Sequence, residues 1–147
     1  MRRKTADHFR EDALGPFHLD DRLARDSVLI TTLGLCQLRL QNDCRWPWVV
    51  LVPQRNDVSE LFDLTPLDQA VLTFETNLVA SALKDLTGAM KINVGALGNI
   101  VRQLHVHIIA RNEGDPCWPG PIWGQGTPVP YAEHDKQDFI KKLAGAL

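Results

Sequence analysis

Residues 103–109 read Gln-Leu-His-Val-His-Ile-Ile. On an extended strand, side chains alternate between faces. Gln103, His105 and His107 therefore fall on one face, and Leu104, Val106 and Ile108 on the other. Same-face neighbours lie roughly 6.5–7 Å apart, so three hydrogen-bonding side chains in a row can line a groove that receives an anion. Imidazole is a nucleophile and an acid–base group near neutral pH, and a rigid strand would aim it. Two other readings fit the same residues. A His-x-His pair on an open strand face can be solvated surface. It can also hold a metal, given a third ligand; His134, Cys117 or a carboxylate could supply one, but no spacing selects among them.

The segment leading into this strand is Asn93-Val94-Gly95-Ala96-Leu97-Gly98-Asn99. Glycine lets the backbone approach a ligand closely. Amide side chains and backbone N–H groups donate to phosphate oxygens. A Gly/Asn loop beside two imidazoles thus has the parts of a phosphate site, although the same composition also suits an ordinary hairpin turn.

The elements that would position these residues follow from the pattern of the rest of the chain. Ser27-Val28-Leu29-Ile30 and Leu35 to Leu40 are runs of strand formers separated by Gly34, and read as two antiparallel strands. Trp46 to Val52 reads as a third strand stopped by Pro53. Thr65 is a good N-cap, Pro66 suits the first helical position, and Gly88 is a stop, which predicts one long helix between them. Leu67, Val71, Phe74 and Leu78 recur at helical spacing, and Leu72, Val79, Leu83 and Leu86 widen that apolar face. Met90–Val94 and Ile100–Ala110 read as two more strands. Residues 112–130 hold five prolines and four glycines, which excludes regular structure, yet Trp118 and Trp123 need a surface to pack on. A short C-terminal helix carries Phe139, Ile140 and Leu143 on one face. Strands, helix, strands is an α+β order with a mostly antiparallel sheet of about five strands. Residues 1–16 read as a charged N-terminal arm and 17–147 as a single domain that includes the Pro/Gly/Trp-rich segment.

Bulk properties narrow the function classes. Sixteen basic and 18 acidic residues give a net charge of −2. No strong field draws nucleic acid or an acidic membrane, so neither is an expected partner. The N-terminus lacks the apolar run of a secretory signal, and no stretch approaches the ~18 apolar residues that span a bilayer. Three cysteines, Cys36, Cys44 and Cys117, contain no Cys-x-x-Cys pair and suit a reducing, cytoplasmic setting.

The alternating strand with Gly98-Asn99 before it resembles the signature of the histidine-triad (HIT) superfamily, over roughly residues 26–111. The Val52-Pro53 strand end, the following helix and the loop into the triad strand share in the likeness. It is nearest a bacterial branch in which Gln-Leu-His-Val-His is followed by Trp-Pro-Gly-Pro and Trp-Gly, which here are Gln103–His107, Trp118–Pro121 and Trp123-Gly124. The resemblance implies a HIT-like α+β fold that pairs into a homodimer. It implies that His105 is the nucleophile attacking the α-phosphorus of a nucleotide to form a nucleotidyl-histidine, later released by water. His107 would contact phosphate and help the leaving group depart. Gly98, Asn99 and Asn93 would be the phosphate-binding loop, with Asn93 about one residue closer than the family spacing.

Three positions depart from the family pattern. Gln103 stands where the first histidine belongs; its amide can donate to phosphate but cannot carry a charge. Asn56 stands where many relatives have a histidine, and Ile100 where a hydroxyl often touches phosphate. The resulting expectation is a nucleotide hydrolase acting on a nucleoside phosphoramidate or dinucleoside polyphosphate, with His105, His107 and Gln103 at its centre. It would need no cofactor and no protein-bound metal, with Mg²⁺ compatible as a companion of the substrate. The alternative is a dimeric nucleotide-binding protein or sensor with little hydrolase activity. Trp46 and Trp48 read as core or dimer packing, or as an aromatic wall for a base. Trp118 and Trp123 read as a staple for the tail, or as a cover for the site.

Overall fold

The computed structural model describes residues 15–147, so most of the charged arm lies outside the described residues. A six-residue helix, α1 (Asp21–Asp26), starts at Asp20, whose carboxylate accepts from the Arg22 N–H as an N-cap. It was not expected from the sequence: six residues are too few to show a period. Strands β1 (Ser27–Thr32), β2 (Cys36–Gln41) and β3 (Trp48–Pro53) follow, then a 3₁₀ turn (Leu61–Asp63) and the long helix α2 (Pro66–Thr87). Strands β4 (Lys91–Gly95) and β5 (Val106–Arg111) and the helix α3 (Glu133–Gly145) complete the chain. The five strands form one antiparallel sheet in the order β1-β2-β3-β5-β4. The α+β class with an antiparallel sheet, one long helix and a shorter C-terminal one is as expected.

The caps of α2 are those the sequence indicates. Thr65 accepts from the Asp68 N–H, Pro66 opens the helix, and Gly88 closes it in the left-handed region at φ 65°. The buried stripe differs. Leu72, Glu75, Val79 and Leu83 face the sheet, while Leu67 (73% exposed) and Phe74 (68% exposed) face away. The helix is apolar around more than half its circumference, so periodicity alone does not choose the side. Glu75 does: its buried carboxylate accepts from the Leu35 and Cys36 N–H groups at 2.7 and 3.0 Å, pinning α2 to the start of β2.

One face of the sheet is the main core. Val49 and Leu51 of β3 and Val106, Ile108 and Ala110 of β5 meet Leu72, Val79 and Leu83 of α2 and Leu143 of α3. The opposite face carries the histidines. Strand β5 is shorter than expected, because regular pairing begins only at Val106 and residues 100–105 are irregular. Alternation nevertheless continues through the extended residues before it. Leu104 joins the core cluster, and His105 and His107 take the other face together with Ile109, which packs on Trp46 and Ile122.

Candidate active site

The two imidazoles lie against each other. Their ring centroids are 4.8 Å apart at 70°, and both residues are almost wholly buried, at 5% and 6% exposure. Strand register sets their surroundings. His107 lies opposite Val50 of β3 and Gly95 of β4. Trp48 packs on one side of His107 and Trp123 on another, with centroids at 5.6 and 5.5 Å. Gly95 is required there: a Cβ would meet the Trp123 ring at 2.8 Å. The Trp123 indole N–H is buried and meets no acceptor among the described residues.

Hydrogen bonds assign the tautomers. His105 Nδ1–H donates to the Gln103 carbonyl at 2.7 Å, which leaves the Nε2 lone pair unbonded among the described residues and available to an electrophile. Indole can only donate, so the 3.0 Å bond from Trp48 Nε1–H makes His107 Nδ1 an acceptor and places the single proton of the neutral ring on Nε2. Burial lowers the pKa of both rings. For His105 the Gln103 carbonyl and the Asp20 carboxylate oppose that shift. For His107, burial followed by the proximity of His105 brings the value down to about 4, against an opposing backbone bond with the Leu97 carbonyl. Both rings are therefore neutral at neutral pH.

The other expected site residues are divided. The Leu97–Ile100 loop reaches His107 through the Leu97 carbonyl, with Asn99 exposed on it. Gly98 lets this loop close on itself: a Cβ would lie 2.8 Å from the Val101 carbonyl oxygen. Asn93 is directed elsewhere, its amide oxygen accepting from Arg111 Nη1 at 3.1 Å. Gln103 is also engaged away from the imidazoles. Its Oε1 accepts from the Asp20 N–H at 2.8 Å and its Nε2 donates to the His18 carbonyl at 2.9 Å. Asn56 acts in parallel, accepting from the His18 N–H at 3.0 Å and donating to the Pro16 carbonyl at 2.9 Å. The two amides hold residues 16–20 as a strap, and Arg22 ties it to the loop by donating to the Ile100 carbonyl at 3.1 Å. A cavity of about 640 Å³ lies beside the strap, lined among others by His18, Asp20, Asn56, Arg102 and Gln103. Replacing Gln103 by Ala is expected to free the strap, since two hydrogen bonds worth roughly 1–2 kcal/mol together are lost. Amide hydrogen exchange at Asp20 should rise by about tenfold, and unchanged protection there would show that Gln103 does not hold it.

Residues that sequence reasoning missed are Asp20, Arg111 and Asp115. Arg111 is buried at 1% exposure and makes a two-point ion pair with Asp115 at 2.8 Å. It also donates to the Gly120 carbonyl at 2.9 Å. It thereby holds the turn that delivers Trp118 and Trp123. The i, i+4 spacing of Arg111 and Asp115 at a strand end was the available signal. Among the described residues, no group of three or more His, Cys, Asp or Glu side chains is placed to hold a metal ion. No helix of the described residues is long and apolar enough to cross a membrane.

An open antiparallel sheet with one long helix behind it and paired imidazoles in front defines a HIT-like α+β protein. The HIT domain family matches residues 22–114, and the chain belongs to that family. It is similar to a histidine-triad protein of Sinorhizobium meliloti, with 65% identity and a TM-score of 0.88 over 89% of this chain and 97% of that one. A histidine-triad protein of Marinobacter aquaeolei is 44% identical with a TM-score of 0.88, covering 90% and 97% of the two chains. One from Bradyrhizobium japonicum is 42% identical with a TM-score of 0.87, covering 89% and 98%. No curated protein matches the chain.

Proposed function

We propose that the chain is a nucleotide hydrolase that works through a nucleotidyl-histidine formed on His105. The observation that carries this reading is the His105–Gln103 carbonyl bond of 2.7 Å. It fixes the imidazole with its nucleophilic Nε2 unprotonated, and it can stabilise the positive charge that the ring acquires when that nitrogen bonds phosphorus. Attack on the α-phosphorus expels the leaving group. Water then attacks the same phosphorus, the N–P electron pair returns to Nε2, and the nucleoside monophosphate leaves. The Gly98-Asn99 loop and the Trp123 N–H, which has no partner among the described residues, are donors available to the phosphate oxygens, and His107 Nε2–H joins them by exchanging the Leu97 carbonyl for phosphate. Nucleoside phosphoramidates and dinucleoside polyphosphates are the substrate classes that fit. No resident cofactor is needed, and Mg²⁺ would arrive with a polyphosphate. Free Cys36, Cys44 and Cys117 suit a cytoplasmic setting. The test is to quench the protein during turnover of a nucleotide labelled at the α-phosphate. An alkali-stable, acid-labile adduct on His105 is expected, and its absence during active turnover would exclude the covalent route.

The second reading, a nucleotide sensor, draws on one observation: Gln103 and Asn56 hold the strap and not a substrate. Tight AMP binding with no turnover of any nucleotide would select it. In either case we propose a homodimer. Strand β4 is an edge of the sheet with Val94 exposed, and α2 turns Leu67 and Phe74 outward, apolar surface of a kind that association covers. Sedimentation at micromolar concentration should give twice the chain mass, and a monomer would refute it.

A further inference from the structure

The geometry points to Trp48 as a specificity-determining residue: it restricts the site to nucleotides whose leaving group departs as a stable anion. This inference rests on the hydrolase reading above and narrows its substrate class to phosphoanhydrides and their like. It starts from the 3.0 Å bond in which Trp48 Nε1–H donates to His107 Nδ1. An imidazolium has a proton on both nitrogens. To become one, His107 would have to turn an N–H toward the indole N–H, losing that bond inside a buried pocket. The register that puts Trp48 opposite Ile109, two pairs along from Val50 and His107 and so on the same face, holds the indole in place, as does its edge contact with Trp46 at 6.4 Å.

Among the described residues, the groups around the pair offer no substitute acid. His105 is the titratable side chain acting on His107, and it disfavours a second charge. The proton of His105 is on Nδ1, committed to the Gln103 carbonyl. Asp20 acts on His105, but the Arg22 guanidinium holds its carboxyl below the usual range, and it stays ionised. Gln103, at the position of the missing histidine, is a neutral amide bonded to the strap. The site can therefore donate hydrogen bonds to a departing group without transferring a proton to it.

The bond changes show which substrates this suits. His105 Nε2 supplies the electron pair of the new N–P bond. When the scissile bond is P–O–P, its electron pair leaves on oxygen as a phosphate or pyrophosphate anion, which is stable in water without a proton. When the bond is P–N to an alkylamine, the pair would leave on nitrogen as an amide anion, which requires a proton at departure. A general acid typically contributes ~10²–10⁴-fold, and alkyl phosphoramidates forfeit that contribution here.

The test compares adenosine 5′-phosphofluoridate, which releases fluoride, with an adenosine 5′-alkylphosphoramidate, in wild type and Trp48→Phe. Wild type should hydrolyse the fluoridate at least ~10²-fold faster than the amidate. Trp48→Phe frees His107 Nδ1 for protonation, and the amidate-to-fluoridate ratio should rise tenfold or more between pH 5 and 6. A second measurement needs no variant: ¹⁵N NMR of the wild-type His107 ring should show Nδ1 unprotonated and Nε2 protonated down to pH 5. Comparable wild-type rates on both substrates, or a doubly protonated His107 at pH 6, would overturn the role of Trp48 and leave the hydrolase reading standing. Hydrolysis of neither substrate would overturn the hydrolase reading itself, and the role of Trp48 with it.

Discussion

Replacing His105 by Ala is expected to abolish turnover, with a loss exceeding the ~10²–10⁴-fold of a single acid–base group. Among the described residues, no other side chain in contact with the site can form the adduct. His107 is the nearest imidazole, but its Nδ1 accepts from Trp48 and its Nε2 bears the proton, so it has no free lone pair to offer. The pH profile should distinguish the nucleophile from a general base of ordinary pKa. Burial lowers the His105 pKa below 6.5, so the reactive neutral form persists as the solution is acidified through pH 6.5, and the rate falls only below that. The same depression works against the fold. An unfolded chain takes up protons on its histidines near pH 6.5, while the native chain does not until lower pH, down to about 4 for His107. Stability conferred by these neutral rings is thus fully present above pH 6.5 and declines as the pH falls from there toward 4. Steady-state rates on a fluorogenic nucleotide, with circular dichroism on the same samples, would measure both. Equal rates for wild type and His105→Ala would remove His105 from the chemistry.

The largest effect on stability is expected from Asp115→Ala. It would leave the Arg111 guanidinium, whose side chain is 1% exposed, without its two-point partner. Removing one member of a buried pair typically costs ~3–5 kcal/mol, because the remaining charge stays in a poorly solvating place. The Asn93 amide and the Gly120 carbonyl are neutral and replace little of that, and Trp118 at 5.7 Å from the guanidinium carbon adds only a cation–π contact. The urea midpoint should drop accordingly. Asp115→Ala with Arg111→Met should recover part of the loss, since the uncompensated charge is then gone. A single variant as stable as wild type would show that the pair does not organise residues 112–123.

How far the sequence could be read depended on whether a feature was local. The α2 caps at Thr65, Pro66 and Gly88 are local chemistry and were legible. So was the two-residue alternation that sends Leu104, Val106 and Ile108 to the core and His105 and His107 to the other face. The extent of β5 was not, because residues 100–105 continue its run of strand-compatible residues but have no partner strand to pair with. The role of Gln103 was hidden for a different reason. An amide in that place can serve phosphate or backbone equally well, and its partners His18 and Asp20 are 85 and 83 residues away along the chain. Asn93 shares a face with His107 but is captured by Arg111, a competition that needs the β4–β5 register to be seen. Trp48 was open to two readings, packing or a wall for a base. Its bond to His107 depends on the β3–β5 pairing, which no segment of the sequence states alone.

Trp48 and Trp123 both lie within 6 Å of His107, centroid to centroid. Indole emission is sensitive to a neighbouring imidazole and to its charge. Two of the four tryptophans are therefore in contact with the ring that lies against His105. The chain has a built-in optical gauge. Ultraviolet light alone should follow, without any label, the filling of the site, the titration of His107 and the lifetime of the proposed nucleotidyl group on His105.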